Sequence, residues 1–114
     1  MEESILISVK KMLSINEDCT DFDTDIIINI NTVMSMLNQM GVGPEEGFIV
    51  TSSTETWSEL LNNVFVLNMV KTYMFLKIKL IFDPPLSASV LGSTERLITE
   101  LEYRITASAR TDST

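Results

Sequence analysis

The chain has 114 residues, a net charge of −8, one cysteine and no histidine. That length holds one core and leaves little room for a second or for a deep enclosed active site; the single Cys19 excludes an internal disulfide, and the missing histidine removes the commonest general base and a major metal ligand. With 45% apolar residues but only 4 Gly and 3 Pro, the composition favours helices over a turn-rich sandwich or barrel.

In chain order, the first helix is predicted from Ser4 to Leu13. Ile5, Leu6, Val9, Met12 and Leu13 fall on one stripe of a 3.6-residue period. Lys10 and Lys11 stand near its end, where they suit the negative end of the helix dipole. Glu2 and Glu3 occupy the place where a secretory leader carries positive charge, and no apolar run follows, so synthesis in a reducing cytoplasm is the expectation. An acidic connection, Asn16 to Asp23, leads to a second helix capped by Asp23 or Thr24. Its stripe is Ile26, Ile27, Ile30, Val33, Met34 and Leu37, and Gly41 ends it as a residue free to take positive φ.

Gly41 to Ser53 reads as an extended loop, with Phe48-Ile49-Val50 as a short extended piece. Ser52-x-x-Glu55 and Thr56-x-x-Glu59 both fit a capping box ahead of a third helix that carries Trp57, Leu60 and Leu61. Val64 to Phe82 is the long central helix, apolar nearly all round. Its three lysines, at about 2.5–3.5 kcal/mol each in mid-bilayer, argue against a membrane span. A buried helix with outward-reaching lysines fits better, and neighbouring subunits are a natural source of cover. Asp83-Pro84-Pro85 stops it, because proline lacks an N–H and disfavours α geometry in the residue before it. A last helix follows from Ser87 to Ile105, with Val90, Thr94, Leu97, Leu101 and Ile105 as its inner line. Residues 107–114 read as a flexible polar tail after a single helical domain at 1–106. The expected fold is thus all-α, a small bundle of four to five helices around the central one.

Little in this sequence carries chemistry. No Cys/His cluster for zinc and no glycine-rich phosphate loop occurs. Asp21-x-Asp23-x-Asp25 resembles the start of a calcium loop, but Ile26 and Thr32 stand where such a loop needs Gly and Glu. The plain reading is a solvated acidic loop whose last members favour the next helix's N-terminus. No nucleophile–base pair is present, so no enzyme, cofactor or metal is expected. Charge is divided unevenly: eleven acidic against two basic side chains in residues 1–60, five against six in 61–114. An acidic first half repels a phosphate backbone or attracts a basic protein face.

Several segments taken together resemble one family. They are the Ser4–Leu13 helix, Asp21-Phe22-Asp23-Thr24-Asp25-Ile26-Ile27, Asn31 to Leu37, and Leu37-Asn38-Gln39-Met40-Gly41-Val42-Gly43. Thr56-Trp57, Val70-Lys71-Thr72-Tyr73 running to Asp83-Pro84-Pro85, and Glu100 to Ile105 complete the set. In order and spacing they resemble the head–tail connector (head-completion or adaptor) proteins of long-tailed bacteriophages; Gly92, inside the last helix, departs from the expected helix former.

The resemblance implies a non-enzymatic virion protein, made in the host bacterial cytoplasm, that forms a dodecameric ring at the capsid portal vertex. The ring joins head to tail and extends the DNA channel. Implied partners are further copies of the chain, the portal protein, and the tail or a second adaptor or stopper protein. DNA passes without specific binding, and no membrane is involved. Candidate partner-binding residues are Gly41, Val42, Gly43, Phe48, Ile49 and Val50 in the loop, with Ala107, Arg110 and Thr114 at the C-terminus. Glu17, Asp18, Asp21, Glu45 and Glu46 are candidates for a channel-lining or partner-facing acidic face; the alternative is that they only aid solubility. Apart from the resemblance, the residues also suit a small helical regulatory or adaptor module that binds one protein partner.

Overall fold

A computed structural model describes residues 3–112. Five helices follow one another: α1 (Ile5–Met12), α2 (Asp23–Gln39), α3 (Trp57–Leu60), α4 (Val64–Phe82) and α5 (Ala88–Asp112). The fold is all-α, as the periodicity predicts. Among the described residues the only sheet-like pairing is an isolated antiparallel bridge between Ser4 and Thr56.

Local chemistry explains most helix ends. Ser4 caps α1, its Oγ accepting the Ile7 N–H at 3.2 Å. Glu59 closes the start of α3 by accepting the Thr56 N–H at 2.8 Å, and Asn63 caps α4 by accepting the Val66 N–H at 3.2 Å. α4 stops at Phe82, directly before Asp83-Pro84-Pro85. α2 starts differently from expectation. Asp23 is its first residue and Phe22 occupies the cap position without a side-chain hydrogen bond, because the Asp23 carboxylate is engaged elsewhere.

α4 and α5 form an antiparallel hairpin that packs on α2, and α2 in turn packs on α1. Ile5, Ile26, Ile30, Leu37, Val70, Tyr73, Met74, Ile78 and Ile105 are fully buried between these helices. Burial of each contributes about 1.5–3 kcal/mol. Trp57 closes the core from α3, its ring edge-on to Phe75 at 6.2 Å and its Nε1 donating to Ser8 Oγ at 3.1 Å.

Three expectations are corrected here. Lys10 is not a solvent-facing partner of the helix dipole. It is 2% exposed, and its ammonium donates to the Glu17 carbonyl at 3.0 Å and the Cys19 carbonyl at 2.6 Å, and pairs with Asp23 Oδ1 at 2.8 Å. A buried ammonium is tolerated only when oxygens surround it in this way.

The last helix runs to Asp112 and does not end at Ile105. Alanine is the best helix former, and Ala109 is buried against the Gly41 turn.

The inner line of that helix is only half inner. Leu101 and Ile105 are buried, but Val90 and Leu97 are 52% and 44% exposed. The face that α5 turns inward runs through Leu91, Thr94, Ile98, Leu101 and Ile105, half-buried at its start and buried from Ile98 on, so Val90 and Leu97 fall beside it. The middle of α4 is covered by its own chain, while Val64, Phe65 and Ile81 near its ends stay exposed. The apolar excess of α4 is therefore confined to its two ends.

Candidate interaction surfaces

The loop between α2 and α3 is held against α2 by two asparagines. Asn31 accepts the Val50 N–H at 2.8 Å and donates to the Val50 carbonyl at 2.9 Å. Asn38 donates to the Pro44 carbonyl at 2.9 Å. These bonds turn a long loop into a fixed wall with a groove on each side.

The first groove has a volume of about 510 Å³ and is walled by Gly41, Gly43, Leu60, Asn62, Val66 and Ala109. Gly41 and Gly43 have φ of 95° and 84°, the left-handed region that glycine enters freely. A methyl at Gly41 would stand 3.3 Å from Ala109 Cβ, and one at Gly43 2.9 Å from Leu60 Cδ1. The glycines thus allow the chain to turn and the last turns of α5 to close in. Because Gly41 and Ala109 both meet the first turn of α4 here, α2 and α5 run antiparallel to α4.

The second groove, about 440 Å³, lies between α2 and the loop. Met34, Asn38, Glu46, Phe48 and Ile49 line it, and Ile49 is 68% exposed.

A third groove lies at the far end of the molecule, where the α4–α5 hairpin turns. It measures about 430 Å³ and is lined by Leu76, Lys79, Leu80, Pro85, Leu86 and Val90, among others. Leu86 is fully exposed, and Ile81, five residues earlier near the end of α4, is 57% exposed.

Gly41, Val42 and Gly43 thus meet Ala109 at the first groove, with Val42 itself buried. Phe48 and Ile49 belong to the second groove, and Val50 is buried and serves to anchor the loop. Ala107 is exposed on α5; Thr114 and the Arg110 side chain lie outside the described residues. Glu17, Asp18 and Asp21 precede α2, while Glu45 and Glu46 follow it, all exposed. A 17-residue helix, about 25 Å long, separates the two sets, so they form two acidic patches and no single cluster.

The remaining polar groups are tied into the fold. Lys71 pairs with Glu3 at 3.1 Å and lies over the Trp57 ring at 5.6 Å. Its hydrogen bond to Glu3 holds that carboxyl below the usual range, and the Thr51 hydroxyl does the same for Glu55. The Tyr73 hydroxyl donates to Glu102 Oε2 at 2.8 Å; burial, reinforced by that carboxylate, pushes the phenol well above its ordinary value. Among the described residues no group of three or more acidic or sulfur side chains is placed to hold a metal ion, and no helix is long and apolar enough to cross a membrane.

Sequence reasoning missed the hairpin tip as a surface, assigning Val90 and Leu97 to the core. The only available signal was the doublet Pro84-Pro85 followed by Leu86, an apolar residue in a turn.

The described residues present exposed apolar side chains at both ends of the α4–α5 hairpin and exposed acidic side chains on either side of α2, surfaces of the kind that meet other proteins. A family model described as Phage connector protein matches residues 5–112, and the chain belongs to that family. It is accordingly a structural component of the head–tail connection of a phage particle. No curated protein and no solved structure matches the chain.

Proposed function

We propose that this chain forms a closed ring at the portal vertex of the capsid, dodecameric by the resemblance that first suggested it. The ring joins head to tail and lengthens the channel through which DNA passes. The observation that carries this reading is the pair of different apolar surfaces at opposite ends of the α4–α5 hairpin: exposed Val64 and Phe65 at one end, Ile81, Leu86 and Val90 at the other. Unlike surfaces at opposite ends suit a head-to-tail contact, which closes into a ring when the rotation permits.

The role is mechanical and assigns no catalysis or cofactor to the chain. The partners are neighbouring copies, the portal protein, and the tail or a further adaptor or stopper. Ala107 and Arg110, on the last turns of α5, are proposed portal contacts, with Thr114 beyond them. The acidic patches at Glu17, Asp18 and Asp21 and at Glu45 and Glu46 would repel a phosphate backbone, so DNA slides past any of them that face the channel. Synthesis is placed in the host bacterial cytoplasm and the mature location in the virion.

Electron microscopy of the purified protein mixed with its portal tests the proposal. A ring of added density on the portal is the expected result. A portal with no added density, and a protein that stays monomeric at every concentration, would refute it and favour a regulatory module with one partner.

A further inference from the structure

The tip of the α4–α5 hairpin carries apolar side chains that its own chain leaves open. Leu86, in the turn before α5, and Val90, in its first turn, line one groove there and are exposed at 105% and 52%. Ile81, near the end of α4, is 57% exposed, and Leu97 stands 44% exposed beside the buried line of Ile98, Leu101 and Ile105. An apolar tip left open in the lone chain is suited to a partner. Charge narrows what covers it. Residues 76–97 carry Lys77, Lys79 and Arg96 against Asp83 and Glu95, whereas residues 1–60 carry eleven acidic and two basic side chains. In so acidic a chain the tip is the surface that a second copy can approach without like-charge repulsion.

The second groove offers the complement. Met34, Phe48 and exposed Ile49 give it an apolar floor, Glu46 an acidic edge, and the Asn31 and Asn38 bonds hold it preformed. We infer that the α4–α5 tip of one copy docks in the groove between α2 and the Phe48–Ile49 segment of the next. Leu86 meets Ile49, and Lys79 faces Glu46. This inference rests on the ring reading above and names a subunit contact for it in which the groove receives the tip, leaving Val64 and Phe65 to another partner.

The test begins from a Cys19→Ser background, so that the only thiols are introduced ones. Ile49→Cys with Leu86→Cys in the same chain is expected to yield a ladder of disulfide-linked oligomers on oxidation, with neither single variant passing beyond a dimer. Leu86→Glu with Val90→Glu, at exposed positions that leave the helical circular dichroism unchanged, is expected to lower the oligomeric fraction at least tenfold. Lys79→Glu is expected to weaken assembly, and adding Glu46→Lys to restore it.

Rings that persist in the Leu86→Glu, Val90→Glu variant overturn this contact and leave the ring reading standing. Loss of portal binding with self-association intact also overturns it, because the tip then serves the portal. A wild-type chain that never self-associates, alone or with portal, overturns both.

Discussion

Lys10 and Asp23 form an ion pair at 2.8 Å across the acidic connection, with the ammonium 2% exposed and two backbone carbonyls completing its shell. The lysine supplies from within the chain the positive charge that so acidic a loop needs. It pins α1 to the start of α2 and explains why Asp23 opens that helix without capping it. Removing the cation leaves three oxygens facing an apolar side chain. Lys10→Met is expected to cost about 3 kcal/mol, the lower end of the range for a broken buried pair because Asp23 is 26% exposed. Asp23→Asn keeps both carbonyl partners and is expected to cost less. Urea denaturation followed by circular dichroism gives both values.

Tyr73 makes stability depend on pH on the alkaline side. Its phenol is held above the ordinary value of 10.0 by burial and by Glu102, so folding favours the protonated form. That contribution is complete below pH 10.0, where the unfolded chain also keeps its proton, and is lost as pH rises through the folded-state value. Tyr73→Phe is expected to flatten the fall in melting temperature above pH 10.0. At neutral pH it should cost about 1–2 kcal/mol through the lost hydrogen bond. Thermal melts of both proteins from pH 7 to 11 decide the matter.

Glu3 and Glu55 act on the acid side. Their carboxyls are held below the ordinary value of 4.5, chiefly by hydrogen bonds from Lys71 and Thr51 respectively. Their contribution is present above that value and disappears as pH falls through the lower folded-state values. Glu3→Gln is expected to make the stability of the chain less dependent on pH below 4.5, measured by denaturation at stepped pH.

Two glycines respond to alanine in opposite directions. Gly43 has φ of 84°, and an added methyl would press on Leu60, so Gly43→Ala is expected to cost more than about 1–2 kcal/mol. Gly92 lies inside α5, where a methyl would meet only the Arg96 guanidinium at 3.6 Å. Gly92→Ala is expected to stabilise by about 0.5–1 kcal/mol. Chemical denaturation of the pair checks both signs.

Within α5, Ile105→Ala is expected to cost about 2–5 kcal/mol, since the side chain is fully buried. Val90→Ala, half exposed, is expected to cost under about 1 kcal/mol in the monomer. A comparison of the two denaturation midpoints shows where the core of the lone chain ends.

How far these features are legible in the sequence depends on whether their causes are local. The end of α4 follows from the proline pair, which can be read in order along the chain, and the same holds for Glu59 and Gly41; the Ser4 and Asn63 caps show only in the structure. Lys10 is a different case. Nothing in Val9-Lys10-Lys11 tells which lysine turns inward, because the answer depends on carbonyls at Glu17 and Cys19 brought back by the loop. The reach of α5 to Asp112 depends on Ala109 finding the Gly41 turn, a contact between distant segments. Periodicity admits Val90 and Leu97 to the same broad stripe as Ile105, but the packing of α5 on α4 turns the face inward at Leu91, Thr94 and Ile98 and leaves those two beside it. The structure sets the loop glycines against Ala109, a contact that the local sequence does not announce. Charge alone groups the five acidic residues, and α2 holds them apart.

The unbroken course of α5 has a mechanical consequence. Its 25 residues span about 37 Å, with exposed Val90 near one end and Ala109 wedged against Gly41 near the other. A tilt imposed on Val90, in the first turn of the rod, would be carried along it toward the Gly41 turn. In the proposed closed circle a tip that moved would disturb its neighbour's seat, so strain applied at one point of the circumference would be shared by all.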